Sequence, residues 1–207
     1  MTREVWLPDP PLIAVVRVTR GDAIGDEQLL ALVEGGLRAV EIALTAADGL
    51  DLIRRVRALM PGEVAVGAGT VLERDEAAAA VEAGASFLAS PADTDALDPT
   101  GPVQAYPGVC TPSEVHAALA RGHRALKLFP ALAGPELLAG LRPPFPAACL
   151  LPSGGVSAAS LPAWRGAGAA GAFIGGSLLG GDAGPLPPEK VAARARAVVE
   201  GWSAAQG

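Results

Sequence analysis

Ala125-Leu126-Lys127-Leu128-Phe129-Pro130-Ala131 sets one lysine inside an apolar run that a proline closes. A short apolar run ended by a breaker suits a strand buried on both faces, as in parallel sheets. An ammonium group is expensive to desolvate there. Two readings follow. Lys127 snorkels from a strand end with its head in water, or its amine is kept neutral so that it can attack a carbonyl and form a Schiff base.

Working outward, runs of the same kind recur at 12–18, 39–44, 64–70, 86–90, 103–109, 148–151 and 171–174. Helical patterns separate them at 26–34, 50–60, 74–83, 135–139, 158–165 and 188–202, with a weak helical turn around 93–97. Gly84 stands in the usual place past a helix end. Thr111-Pro112-Ser113-Glu114 reads as an N-cap, a proline at the first helical position and a capping box, opening a helix that runs to about Arg121. Eight strands alternating with helices, at roughly 25-residue spacing, predict an α/β fold: a (β/α)8 TIM barrel filling residues 1–207 as a single domain. An open doubly wound sheet is the alternative. The barrel is preferred because the eight units use the whole chain and polar residues gather at many strand ends, not at one crossover.

Composition narrows the function classes. The chain of 207 residues is 50% apolar with a net charge of −6, enough for a sizeable core. It has none of the Lys/Arg clusters that bind phosphate backbones, so no nucleic-acid partner is expected. Cys110 and Cys149 suggest neither a disulfide framework nor a zinc site, and with His116 and His123 they lack metal-ligand spacing, so no metal is expected. Only a five-residue apolar stretch, 12–16, precedes Arg17, so neither a signal peptide nor a membrane span is expected and the cytoplasm is the default location.

In a barrel the reactive groups sit at the C-terminal ends of the strands. Arg17 ends the first run, Glu41 lies within the second, Thr70 ends the third and Lys127 lies within the sixth. Arg17 and Glu41 could be a tolerated buried ion pair, and Thr70 a packing residue or local cap. An inward carboxylate together with an inward lysine points instead to proton transfer and nucleophilic chemistry. Gly154-Gly155 and Gly175-Gly176-Ser177 follow the last two strands, where barrels commonly bind phosphate through backbone N–H groups. Tight turns needing positive φ would also explain glycines there.

These elements, together with Val40-Glu41-Ile42, Gly67-Ala68-Gly69-Thr70-Val71-Leu72, Ser90-Pro91, Pro107-Gly108-Val109 and Pro152-Ser153-Gly154-Gly155-Val156, resemble the 2-keto-3-deoxy-6-phosphogluconate (KDPG) and 4-hydroxy-2-oxoglutarate aldolase family over nearly the whole chain. The resemblance implies a cofactor-free class I aldolase acting on a small 2-keto acid, with Lys127 forming the Schiff base and Glu41 as general acid/base. It implies that Arg17 and Thr70 hold the carboxylate of the pyruvate portion and that Gly154, Gly155, Gly175, Gly176 and Ser177 hold a distal phosphate. Pro91 and Phe129 would line the pocket, and the assembly would be a homotrimer. One departure stands out. Where the family's sugar-acid enzymes often carry Thr-Leu-Arg-Thr, this chain has Ala43-Leu44-Thr45-Ala46, so the resemblance sets Thr45 with Arg17 and Thr70 at the pyruvate carboxylate, in place of a substrate-binding arginine, and leaves substrate choice open. Relatives acting on the galactonate-derived substrate also have a small polar residue there. A non-covalent epimerase or isomerase and a catalytically silent phosphosugar-acid-binding barrel are the rival readings. Leu126, Leu128 and Phe129 are expected to wall the Lys127 amine with apolar surface.

Overall fold

A computed structural model describes residues 5–180 and 186–204. Residues 1–4 and 205–207, the two ends of the expected 1–207 domain, and residues 181–185 lie outside the described residues. Seven of the eight expected runs appear as single strands: β1 (Leu12–Val16), β2 (Ala39–Ala43), β3 (Ala65–Gly69), β4 (Phe87–Ala89), β7 (Ala125–Leu128), β8 (Cys149–Pro152) and β9 (Ala172–Ile174). The run at 103–109 is the exception. Pro107 has no N–H to give a ladder, so the run divides into β5 (Gln104–Tyr106) and β6 (Gly108–Val109), and the eight expected runs give nine strands among the described residues. All strands pair in parallel, as a six-stranded sheet ordered β5-β4-β3-β2-β1-β9 and a three-stranded sheet ordered β6-β7-β8. The chain passes from one sheet to the other through Pro107, and a parallel bridge joins Ser153, just past β8, to Phe173 in β9.

The helices are α1 (Asp26–Glu34), α2 (Gly49–Leu59), α3 (Arg74–Glu82), α4 (Pro112–Ala120), α5 (Pro135–Leu141), α6 (Leu161–Gly166), α7 (Gly176–Leu179) and α8 (Pro188–Ser203). The capping box at α4 forms as expected: the Glu114 N–H donates to Thr111 Oγ1 at 3.3 Å, and Glu114 Oε2 accepts from the Thr111 N–H at 2.7 Å. The Cys110 N–H, donating to Glu114 Oε2 at 2.8 Å, and the Thr111 N–H hold the Glu114 carboxyl below the usual carboxylate range. Gly84 sits at φ +104, the left-handed position past α3.

Alternation along each strand separates two packed layers. Leu12, Val40, Ile42, Leu126, Leu128 and Leu150 face the helices, and each such side chain contributes about 1.5–3 kcal/mol of burial. Ile13, Ala39, Ala125 and Leu151 face the other way, with an aromatic series beside them. Phe87 meets Tyr106 edge-on at 5.8 Å, and Tyr106 meets Phe173 edge-on at 5.5 Å. Tyr106 Oη donates to the Trp6 carbonyl at 2.6 Å, and burial pushes its phenol well above the usual range, so it remains a donor. These rings fill the inner face below the polar residues described next.

After β4 no helix forms. The turn expected at 93–97 is a single one, closed by the Leu97 N–H on the Thr94 carbonyl at 3.1 Å. Arg121 then takes over what a helix would supply: it donates to the Thr94 carbonyl at 3.0 Å and pairs with Asp93 at 3.1 Å. His123 is packed behind this strap, 2% exposed, with Nε2 3.8 Å from Asp93 Oδ1. Burial disfavours the imidazolium and holds the His123 pKa below its ordinary 6.5, with Asp93 opposing and Arg121 reinforcing. The unfolded chain therefore takes up a proton near pH 6.5 that the folded chain accepts only at lower pH, and stability falls as pH drops through that window. The urea midpoint is expected to fall between about pH 7.5 and pH 5.5, and His123→Gln to flatten that fall. A midpoint that rises on acidification, or an unchanged slope in the variant, would contradict this.

Candidate functional site

The inner face becomes polar toward the C-terminal ends of the strands. Glu41 lies two residues beyond Ala39 in β2 and Lys127 two beyond Ala125 in β7, so both point inward by the same alternation that turns Leu126 and Leu128 outward. Lys127 Nζ donates to Glu41 Oε2 at 2.9 Å and Oε1 at 3.2 Å, and the two side chains are 6% and 0% exposed. The ammonium also stands 4.3 Å from the centre of the Phe173 ring. The expected apolar wall is thus corrected in part. Phe129 lines the same cavity as Lys127, but Leu126 and Leu128 lie on the helix side of β7, and the amine meets a carboxylate and an aromatic face in their place. Gly69 makes room for the pair, because a Cβ there would be driven into the Glu41 carboxylate.

Above the pair opens a cavity of about 410 Å³, a size suited to a small metabolite. Arg17, Thr70, Pro91, Lys127, Phe129, Gly154, Gly155, Gly175, Gly176 and Ser177 all line it. Glu41 lies beneath the lining and reaches the cavity through Lys127. Thr45 is beside the cavity without lining it; its hydroxyl accepts from Arg17 Nη1 at 3.4 Å, while Thr70 Oγ1 accepts from Arg17 Nη2 at 3.3 Å. Thr70 is at φ +58, the one non-glycine residue at positive φ among the described residues. For a β-branched side chain that backbone is strained, and the strain brings its hydroxyl to the guanidinium. Gly154 and Gly155 are both at φ +83, a conformation L side chains rarely adopt, and Gly176 opens α7.

The lining carries two kinds of group suited to anions. Arg17 is a cation, and Gly154, Gly155, Gly176 and Ser177 contribute backbone N–H and hydroxyl donors. Ser153 and Ser157 line the cavity too, and sequence reasoning missed both. Ser153 was reachable: two residues past inward-facing Leu151, it continues the inner face of β8. α7 was missed as well, because a helix as short as Gly176–Leu179 leaves no period to read. Among the described residues no group of three or more His, Cys, Asp or Glu could hold a metal ion, and no helix is long and apolar enough to cross a membrane.

A parallel α/β scaffold carrying a buried lysine–glutamate pair under a strand-end cavity defines a class of small-molecule sites. Residues 4–187 match the model of the KDPG and KHG aldolase family, and the chain belongs to that family. It is 46% identical over 134 residues to the 2-dehydro-3-deoxy-phosphogluconate aldolase of Pseudomonas aeruginosa, covering 61% of this chain and 60% of that protein. It is 30% identical over 179 residues to the 2-dehydro-3-deoxy-6-phosphogalactonate aldolase of Escherichia coli K12, covering 84% and 86%. The alignment thus spans less than two thirds of the first of these relatives. A solved structure described as native KDPGal superposes with a TM-score of 0.85 at 28% identity, covering 99% of this chain and 98% of that one.

Proposed function

We propose that this chain is a class I aldolase that cleaves KDPG to pyruvate and glyceraldehyde 3-phosphate, 4-hydroxy-2-oxoglutarate to pyruvate and glyoxylate, or both. The observation that carries this reading is the Lys127–Glu41 contact of 2.9 Å beneath a cavity lined by Arg17 and the glycine loops. Lys127 gives a proton to Glu41, and the neutral amine attacks the C2 carbonyl to form a carbinolamine. Glu41 returns the proton to the departing hydroxyl as water leaves, and the resulting iminium is an electron sink. Glu41, a carboxylate again, takes the proton of the C4 hydroxyl as the C3–C4 bond breaks, the electron pair of that bond flows into the iminium, and the aldehyde departs. Glu41 then delivers a proton to C3 of the enamine, and water releases pyruvate and restores the lysine.

In this reading Arg17 and Thr70 hold the carboxylate, with Thr45 behind them, and Gly154, Gly155, Gly175, Gly176 and Ser177 receive the phosphate. The scaffold is read as one (β/α)8 barrel domain. The β5-to-β6 passage through Pro107 and the Ser153–Phe173 bridge support closure of the two sheets into one ring. A homotrimer in the cytoplasm completes the proposal. A second reading, KDPGal aldolase, is favoured by Thr45 in place of the arginine and by the longer alignment with the galactonate-type enzyme.

Comparison of kcat/KM on KDPG, its galactonate epimer and 4-hydroxy-2-oxoglutarate tests these assignments. The phosphorylated substrates are expected to lead by roughly tenfold or more, because the glycine cradle finds its anion only in them. Equal rates on the unphosphorylated compound count against the phosphate assignment, and cleavage of none of the three overturns the aldolase reading.

A further inference from the structure

Within the aldolase reading, Thr45 holds a place that neither its residue type nor its neighbours in sequence explain. It follows β2 in a loop tied to the strands on both sides. The Leu44 N–H donates to the Gly69 carbonyl at 2.8 Å, the Ala47 N–H to the Thr19 carbonyl at 3.0 Å, and the Gly21 N–H to Asp48 Oδ1 at 2.7 Å. The loop therefore cannot shift toward the cavity without breaking backbone bonds to β1 and β3 segments. Arg17 and Thr70 line the cavity and Thr45 does not. Arg17 forms no salt bridge among the described residues, so its guanidinium is directed by two hydroxyls, Thr45 on Nη1 and Thr70 on Nη2.

We infer that Thr45 is a positioning residue: it fixes the direction of the Arg17 guanidinium, the cation that receives the carboxylate of the 2-keto acid while Lys127 is engaged with its ketone. A guanidinium on a long side chain has many rotamers to lose on binding. The two threonines remove that freedom in advance while leaving the remaining N–H donors for a carboxylate. The effect belongs to the pyruvate end of the substrate and is blind to the tail. The Thr45 hydroxyl thus tightens binding of every 2-keto acid the site accepts; the galactonate-type reading draws on the arginine that is absent at this position, not on this hydroxyl.

The test uses the full chain and pyruvate itself, whose methyl protons exchange with deuterium when the enamine forms, followed by proton NMR. Thr45→Val keeps the shape and removes the hydroxyl; it is expected to raise KM for exchange about 3- to 10-fold with kcat within about 2-fold of the parent. Thr45→Ser is expected to restore KM, and the same KM factor should appear for phosphorylated and unphosphorylated aldol substrates. An unchanged KM in Thr45→Val, a fall in kcat at constant KM, or failure of serine to rescue overturns the inference while the parent remains an active aldolase. A parent that exchanges no methyl protons overturns the aldolase reading and the inference with it. Thr45 is exposed, and thermal unfolding of each variant close to the parent confirms that the readout concerns the site.

Discussion

Lys127→Ala is expected to lose aldol cleavage by roughly 10⁴- to 10⁶-fold, the scale seen when a covalent nucleophile is removed. Incubation of the parent with pyruvate and borohydride should add a stable pyruvyl mass to the peptide holding Lys127, and the variant should gain none. The alanine change also strands Glu41, which is 0% exposed, so part of any loss could come from the fold. Lys127→Arg separates the two effects. It keeps a cation opposite Glu41 but offers no amine that can form an imine. A folded, inactive arginine variant fits the Schiff-base mechanism. Cleavage persisting in it near the parent rate, or a parent that cleaves substrate without ever acquiring the adduct, would point to the non-covalent proton-transfer chemistry weighed above. An inactive parent that still binds a phosphorylated sugar acid would support the silent barrel.

The second large effect is expected at Glu41. Glu41→Gln keeps the size and one acceptor but removes the proton shuttle, and kcat for cleavage should fall by about 10²- to 10⁴-fold. Pyruvate methyl exchange should fall with it, because the same carboxylate protonates C3 of the enamine. A variant that loses cleavage while exchanging methyl protons at the parent rate would move the C3 proton transfer to another group. The same change leaves the Lys127 charge in a buried site with a neutral amide oxygen and the Phe173 face but no counter-charge, so a stability cost of up to about 3–5 kcal/mol is expected beside the kinetic one. Unfolding curves report that cost separately from the rates.

Much of this site could be read before any coordinates, because few physical explanations fit a charged residue inside an apolar run. Lys127 and Glu41 are 86 positions apart, and what predicts their meeting is that each occupies a mid-strand position in a parallel α/β pattern. The glycine pairs were readable for a similar reason, since glycine repeats just past strand ends leave few alternatives. The residues missed were those whose role depends on direction. Leu126 and Leu128 flank Lys127 in sequence and lie across the sheet from it in space, an outcome that strand alternation dictates and adjacency conceals. Ser153 looks like part of a turn until Leu151 fixes which way β8 faces. Pro107 reads as one residue of a continuous apolar run, yet it is where the ladder divides. Resemblance sets Thr45 with the carboxylate-binding residues, and only the geometry reveals that its hydroxyl accepts from Arg17.

The alternation in β7 has a consequence for how such a protein can change over generations. Its outward residues answer to the helices and its inward residues to the cavity, so selection for folding and selection for chemistry act on interleaved but different positions. A substitution at Leu126 or Leu128 is felt as lost burial, while in the proposed mechanism one at Lys127, Ser153 or the glycine loops is expected to alter turnover or preference. The two traits are therefore largely free to drift apart. A lineage can exchange one keto acid for another through inward and loop positions while the helix-facing half of every strand stays as it was.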